Sequence, residues 1–277
     1  MEEQKIYDQM DWAGIEAVVY SEADSPQEVL GPRVVEDGVL VGGFMPEAQG
    51  MTVVTGNGKE YPMVNEDEAG YFAALLPVKK IPDYILRVQH RDGHFQDYVD
   101  PYAFDPYIVE EDLKKFERGI HYTIYEKLGA HILTRKSLGG AQVSGTLFAV
   151  WAPNAMRVSV VGNFNNWDGR RHQMRRLGDS GIFEIFIPGV FEGEIYKFEI
   201  KAQGGLTYLK ADPYANAAEL RPANASIVTD LSGFNWTDGK WMAARKEADL
   251  YTAPVSIYEV HLGSFKKPEE KNGSFYN

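Results

Sequence analysis

The chain has 277 residues, 44% hydrophobic and 25% charged, with a net charge of -12 and no cysteine. That length suffices for two modest domains. The acidic balance argues against a nucleic-acid partner, whose binders present a basic face, and the missing cysteine excludes disulfide and thiolate chemistry. No apolar run approaches the roughly 18 residues that a membrane span needs, and the acidic start MEEQKIYDQMDW lacks the apolar stretch of a signal peptide. The expected setting is the cytoplasm.

Residues 4–20 space their apolar side chains as a helix does, with Ile6, Met10, Ile15, Val18 and Val19 on one stripe, and this segment is expected to cap the unit that follows. That unit then recurs. FMPEAQGMTVV (44–54) matches WAPNAMRVSVV (151–161) at a shift of 107 positions, and GYFAALLP (70–77) matches GIFEIFIP (181–188) at 111. YILRV (84–88) matches YKFEI (196–200), and DPYA (100–103) matches DPYA (212–215), both at 112. Order is kept, and nearly all the growth in shift falls where the first copy has TGNG and the second has GNFNNWDG (162–169).

Both copies read as β structure. In MRVSVV, alternation puts Met156, Val158 and Val160 on one face and Arg157 and Ser159 on the other. IFEIFIP groups Phe183, Ile185 and Ile187; YKFEI turns Tyr196, Phe198 and Ile200 inward and Lys197 and Glu199 outward. Pro77 and Pro188 close corresponding strands, since proline cannot donate to a ladder. Short alternating strands between Gly, Asn, Asp and Pro turns predict an all-β fold of two tandem immunoglobulin-like β-sandwiches with short helices. Residues 110–132 join them, opening with Glu110, Glu111 and Asp112 and followed by Lys114 and Lys115, as a helix dipole favours. After residue 228 comes an aromatic linker, and SIYEVHLGSF (256–265) begins a fresh strand whose partners and cover lie outside the sequence. The domains expected are 1–118, 119–228 and 229–277.

Six histidines show no metal-ligand spacing, and TGNGK (55–59) lacks the length and hydroxyl of a phosphate loop. Neither a metal nor a cofactor is expected. Glu259 and His261 share a face of the 256–265 strand in a supporting role. Arg170, Arg171, His172, Arg175 and Arg176 read as a solvated loop, and the sequons at Asn224, Asn235 and Asn272 as chance.

FAVWAPNA, VSVVGNFNNWDG, YKFEI and LKADPYA together resemble the family-48 carbohydrate-binding modules, and YEKLGAHIL before them and YEVHLGSF after them resemble bacterial 1,4-α-glucan (glycogen) branching enzymes. The resemblance implies a first β-sandwich, a glucan-binding second one, and YEVHLGSF as the first strand of a (β/α) barrel. The barrel's later strands, which carry the family's catalytic carboxylates, are not in these 277 residues. The family reaction retains configuration and needs two carboxylates about 5 Å apart, so no catalytic residue is expected in this chain. It reads as an N-terminal, truncated part of an enzyme that transfers α-1,4-glucan segments into α-1,6 branches, inactive alone, whose partners are glycogen, maltodextrin or amylose and the barrel. The alternative is a self-sufficient glycogen- or starch-binding or scaffolding protein without catalysis.

Four residues carry the expected glucan contacts. Trp167, at the tip of the longer turn, offers a flat ring to a sugar face; the competing reading makes it a core plug. Asn163, Asn165 and Asn166 are turn formers. Lys197 and Asn224 match sugar-contacting positions of the family. Tyr208 is the ring nearest a second stacking position, although alignment by the following Asp-Pro pair puts Leu209 there.

Overall fold

The computed structural model describes residues 2–249, 251–261 and 265. Residues 1–230 form one compact unit and 231–277 another. The predicted N-terminal helix is two helices, α1 (Glu2–Tyr7) and α2 (Trp12–Val19), because Asp11 adopts an extended conformation and caps α2 by accepting from the Gly14 N–H. Ile6, Ile15 and Val18 from both helices are buried against Leu40, Tyr71 and Ala73 of the first sandwich.

The strands of that sandwich are β1 (Gly31–Val35), β2 (Gly38–Phe44), β3 (Gly50–Thr55), β4 (Glu60–Pro62), β5 (Val64–Asp67), β6 (Tyr71–Leu76), β7 (Tyr84–Gln89) and β8 (Phe95–Tyr98). They form two antiparallel sheets, β1-β2-β6-β5 and β4-β3-β7-β8. Val41, Val53, Phe72 and Val88 meet in the core between them. After α3 (Glu110–Glu117), where Lys114 pairs with Glu110 at 2.6 Å and Lys115 with Glu111 at 2.7 Å, the arrangement recurs.

In the second sandwich, β9 (Gly129–Lys136), β10 (Gln142–Trp151), β11 (Ala155–Gly162), β12 (Arg175–Arg176), β13 (Ile182–Pro188), β14 (Ile195–Ala202), β15 (Thr207–Lys210), β16 (Ala217–Ala218) and β17 (Ser226–Ile227) give the sheets β12-β13-β10-β9 and β11-β14-β17-β16, with β15 also on β14. The repeat read from the sequence is therefore a repeat of topology: β6 and β13 hold the same place beside β2 and β10, and β7 and β14 beside β3 and β11. The DPYA motifs explain their own recurrence. Asp100 Oδ2 accepts from the Tyr84 hydroxyl at 2.6 Å and Asp100 Oδ1 from the Tyr102 N–H; Asp212 does the same with Tyr196, also at 2.6 Å, and with Tyr214.

Two local readings change. A bulge between Ala155 and Arg157 puts Ala155, not Met156, in the core beside Val158 and Val160. The face opposite them is not solvated: Arg157 is 2% exposed and Ser159 fully buried. In β13 every residue from Ile182 to Ile187 is buried, because Phe104 packs edge-on to Phe186 at 4.8 Å and Glu184 accepts the N–H groups of Tyr107 and Ile108.

In the second unit, α4 (Gly239–Glu247) is followed by residues 254–261 without ladder pairing, Ile257 and Tyr258 being exposed. The strand expected at 256–265 is thus not formed over 256–261; 262–264 lie outside the described residues.

Candidate functional site

The turn GNFNNWDG extends a hairpin that the first copy makes short. In the first sandwich the Met63 N–H donates to Met51 O; in the second the Met174 N–H donates to Val158 O, with four more residues between the paired positions. The two aromatic rings of the extension divide its tasks. Phe164 turns inward, stacking on Phe148 at 6.2 Å between centroids, and is the plug. Trp167 stays outside the core cluster and half-buried, its indole N–H donating to Asn163 Oδ1 at 2.9 Å.

Asn165 holds the turn. Fully buried, it accepts the Gly162 N–H and donates to Val160 O and to Nδ1 of His172. Accepting at Nδ1 leaves the neutral ring's hydrogen on Nε2. Desolvation pushes His172 down to about 3, with the neighbouring Arg171 charge adding to the effect. Asn166 and Trp167 both adopt left-handed conformations, φ 56° and 59°. Asparagine visits that region readily, but a bulky ring there is an outlier that costs about 1–3 kcal/mol. The Trp167 N–H, donating to Gly162 O at 2.9 Å, helps to hold it.

β14 supplies the neighbouring face. Lys197 lies opposite Val161 in the β11–β14 ladder, one position from the start of the turn. Its Nζ donates to Asn224 Oδ1 at 2.5 Å, and Asn224 precedes β17, which pairs with β14 at Tyr196. The structure thus joins Lys197 and Asn224 directly and places the Trp167 turn beside them. Tyr208 is not on this face. It stands opposite Ile200, whose side chain turns to the core side, whereas Leu209 stands opposite Glu199 on the side of Lys197. Both are exposed.

The arginine cluster differs from the solvated loop expected. Arg170 is paired with Asp168 at 2.7 Å, but Arg171, Arg175 and Arg176 each bury an Nε without a partner. Phe164, Arg171 and His172 from the turn, with Met51 and Tyr98 from the first sandwich, line a cavity of about 560 Å3 between the two. Sequence reasoning found no sign of it, since its walls come from both sandwiches, which are far apart in the chain. Among the described residues no cluster of three or more His, Cys, Asp or Glu could hold a metal. The rings of His90 and His94 stack at 4.3 Å across their turn.

Comparison with known proteins follows the same division. Residues 11–102 match the family "alpha-1,4-glucan branching enzyme GlgB, N-terminal domain", and residues 127–215 match "Carbohydrate-binding module 48 (Isoamylase N-terminal domain)". The chain is similar to 1,4-alpha-glucan branching enzymes of Thermosynechococcus vestitus (43% identity, 91% of this chain and 33% of the relative), Paramagnetospirillum magneticum (44%, 93% and 34%) and Myxococcus xanthus (42%, 93% and 35%). It therefore spans about a third of the length of these relatives. A solved pullulanase type I from Bacillus subtilis is a distant likeness, with a TM-score of 0.32 and 21% identity over 76% of this chain and 28% of that one.

Proposed function

The chain belongs to the 1,4-α-glucan branching enzyme family as its N-terminal portion, and from that premise we propose that its second sandwich binds α-1,4-glucans through Trp167, Lys197 and Asn224. The observation that carries this reading is the backbone of Trp167. Neither turn chemistry nor core packing calls for a tryptophan at φ 59°, because Asn165 builds the turn and Phe164 plugs the core. Strain of that kind is kept where a site uses it. A ring fixed by its own N–H to Asn163 covers a sugar's C–H face. The amide of Asn224 and the ammonium of Lys197 then meet hydroxyls.

Binding by this face alone is weak, because one ring offsets little of the ordering cost of a flexible glucan chain. Tyr208 is left out of the face, and Leu209 offers area but no ring. In this reading the whole enzyme transfers α-1,4 segments to α-1,6 branches in the cytoplasm, the barrel supplies the carboxylate pair, and these 277 residues alone do not branch amylose. Affinity electrophoresis in glycogen gels, run beside a melting curve, tests the face. The parent chain is retarded and Trp167→Ala is not, with melting nearly unchanged. Retained retardation with a collapsed melting temperature returns Trp167 to the core.

A further inference from the structure

At its far side the Trp167 turn packs closely on Glu199 and is hydrogen-bonded by Gln173, and both residues lead to the first sandwich. Gly169 lies so close to Glu199 that a Cβ built there would sit 2.0 Å from Oε1. Glu199 Oε1 in turn accepts from Arg157 Nη2 at 2.8 Å, and Arg157 sends Nη1 to Ser159 at 2.7 Å and Nε to the carbonyl of Ser21 at 3.2 Å. The second residue is Gln173. Its Nε2 donates both to Arg170 O in the turn, at 3.1 Å, and to Val18 O in α2, at 2.8 Å.

These acceptors share an origin. Val18, Tyr20 and Ser21 close α2, at the negative end of its dipole, and the Val18 carbonyl accepts from the Ser21 N–H as well as from Gln173. Ser21, at φ 55°, turns the backbone so that its carbonyl faces Arg157. Lys201 Nζ donates to Tyr20 O at 3.2 Å and pairs with Glu22 at 2.8 Å, and the Arg176 N–H donates to Asp24 O at 2.7 Å. The other end of this segment is fixed, since Ile15 and Val18 are buried in the first sandwich.

The geometry points to Arg157 and Gln173 as positioning residues through which the first sandwich holds the glucan-binding turn. Residues 18–24 form the wedge between them. The first sandwich then contributes to glucan affinity without touching glucan: freed from Glu199 and Gln173, the 166–170 turn samples other conformations, and Trp167 meets sugar for only part of the time. This role rests on the reading of Trp167 as the stacking ring.

The test uses the full chain in three variants. Arg157→Gln cuts the link at its centre, and Arg157→Lys keeps a cation for Glu199 while losing the bond to Ser21. Gly169→Ala drives the flexible Glu199 carboxylate off the turn and off Arg157 without touching the first sandwich, which covers the case in which Arg157→Gln fails to fold. Hydrogen exchange at the Trp167 and Asp168 amides, both hydrogen-bonded within the turn, reads positioning without any glucan. Exchange there is expected to quicken at least tenfold in Arg157→Gln and Gly169→Ala and less in Arg157→Lys, with maltoheptaose affinity falling about fivefold to tenfold in the same order. Unchanged exchange in Gly169→Ala and in the folded position-157 variants overturns the inference. Quickened exchange in a chain whose Trp167→Ala variant still binds glucan keeps the positioning and sinks the glucan reading, so the two failures are told apart.

Discussion

Trp167 and Phe164 lie three residues apart and do opposite things, and the difference comes from backbone rather than side-chain chemistry. Trp167→Gly removes the ring and also the left-handed strain. It is expected to melt no lower than the parent while losing glycogen retardation. Phe164→Ala empties a site against Phe148 and is expected to destabilise by up to the about 3–5 kcal/mol typical of a buried ring. Two titrating groups give opposite pH signatures. Burial pushes Asp100 up from 3.8 to about 6 against the bonds from Tyr84 and Tyr102, so its share of stability is present below about pH 4 and is lost as pH rises through about 6. His172, held down at about 3, contributes stability above about pH 6.5 that is lost as pH falls through about 3. Melting curves of Asp100→Asn should therefore lack part of the decline between pH 4 and 6 that the parent shows. An identical slope in the two would contradict the buried carboxyl account.

At the scale of elements, the strands of the two sandwiches were legible and their surroundings were not, while the strand read at 256–265 is not formed over 256–261. Alternation in YKFEI correctly turned Tyr196 and Phe198 inward, because a strand's period of two is a local property. The same logic failed for Arg157 in β11, since what covers it is Ser21, 136 residues earlier in the chain. It failed again in β13, where α3's approach segment covers the outer face through Phe104 and Tyr107. Of the expected site, Lys197 and Asn224 were joined at 2.5 Å, whereas Tyr208 fell on the other face, a distinction that only the β14–β15 register draws. That register yields a prediction: Leu209→Trp adds a ring on the Lys197 side and should raise maltoheptaose affinity by about tenfold, in line with about 1–3 kcal/mol per stacking contact. Tyr208→Ala should leave affinity unchanged. Titration calorimetry of both reads the result, and the reverse pattern would mean the register has been misassigned to function.

Residues 1–230 are a repeated sandwich whose copies differ in the 162–169 hairpin and in the added β16–β17 pair, and are joined through the end of α2. Arg157, Lys201, Gln173 and the Arg176 N–H all reach residues 18–24. Residues 1–230 should accordingly unfold in one calorimetric transition, and two separated transitions would show that the contacts couple nothing. The central claim is that glucan meets this molecule at Trp167. The chain has five tryptophans, at 12, 151, 167, 236 and 241, and each gives its own indole N–H signal in a 15N-labelled sample. Titration with maltoheptaose should shift the Trp167 signal, whose hydrogen bond to Asn163 lies at the face, and leave the other four in place. A saturating shift at any other indole, with Trp167 unmoved, would contradict the account.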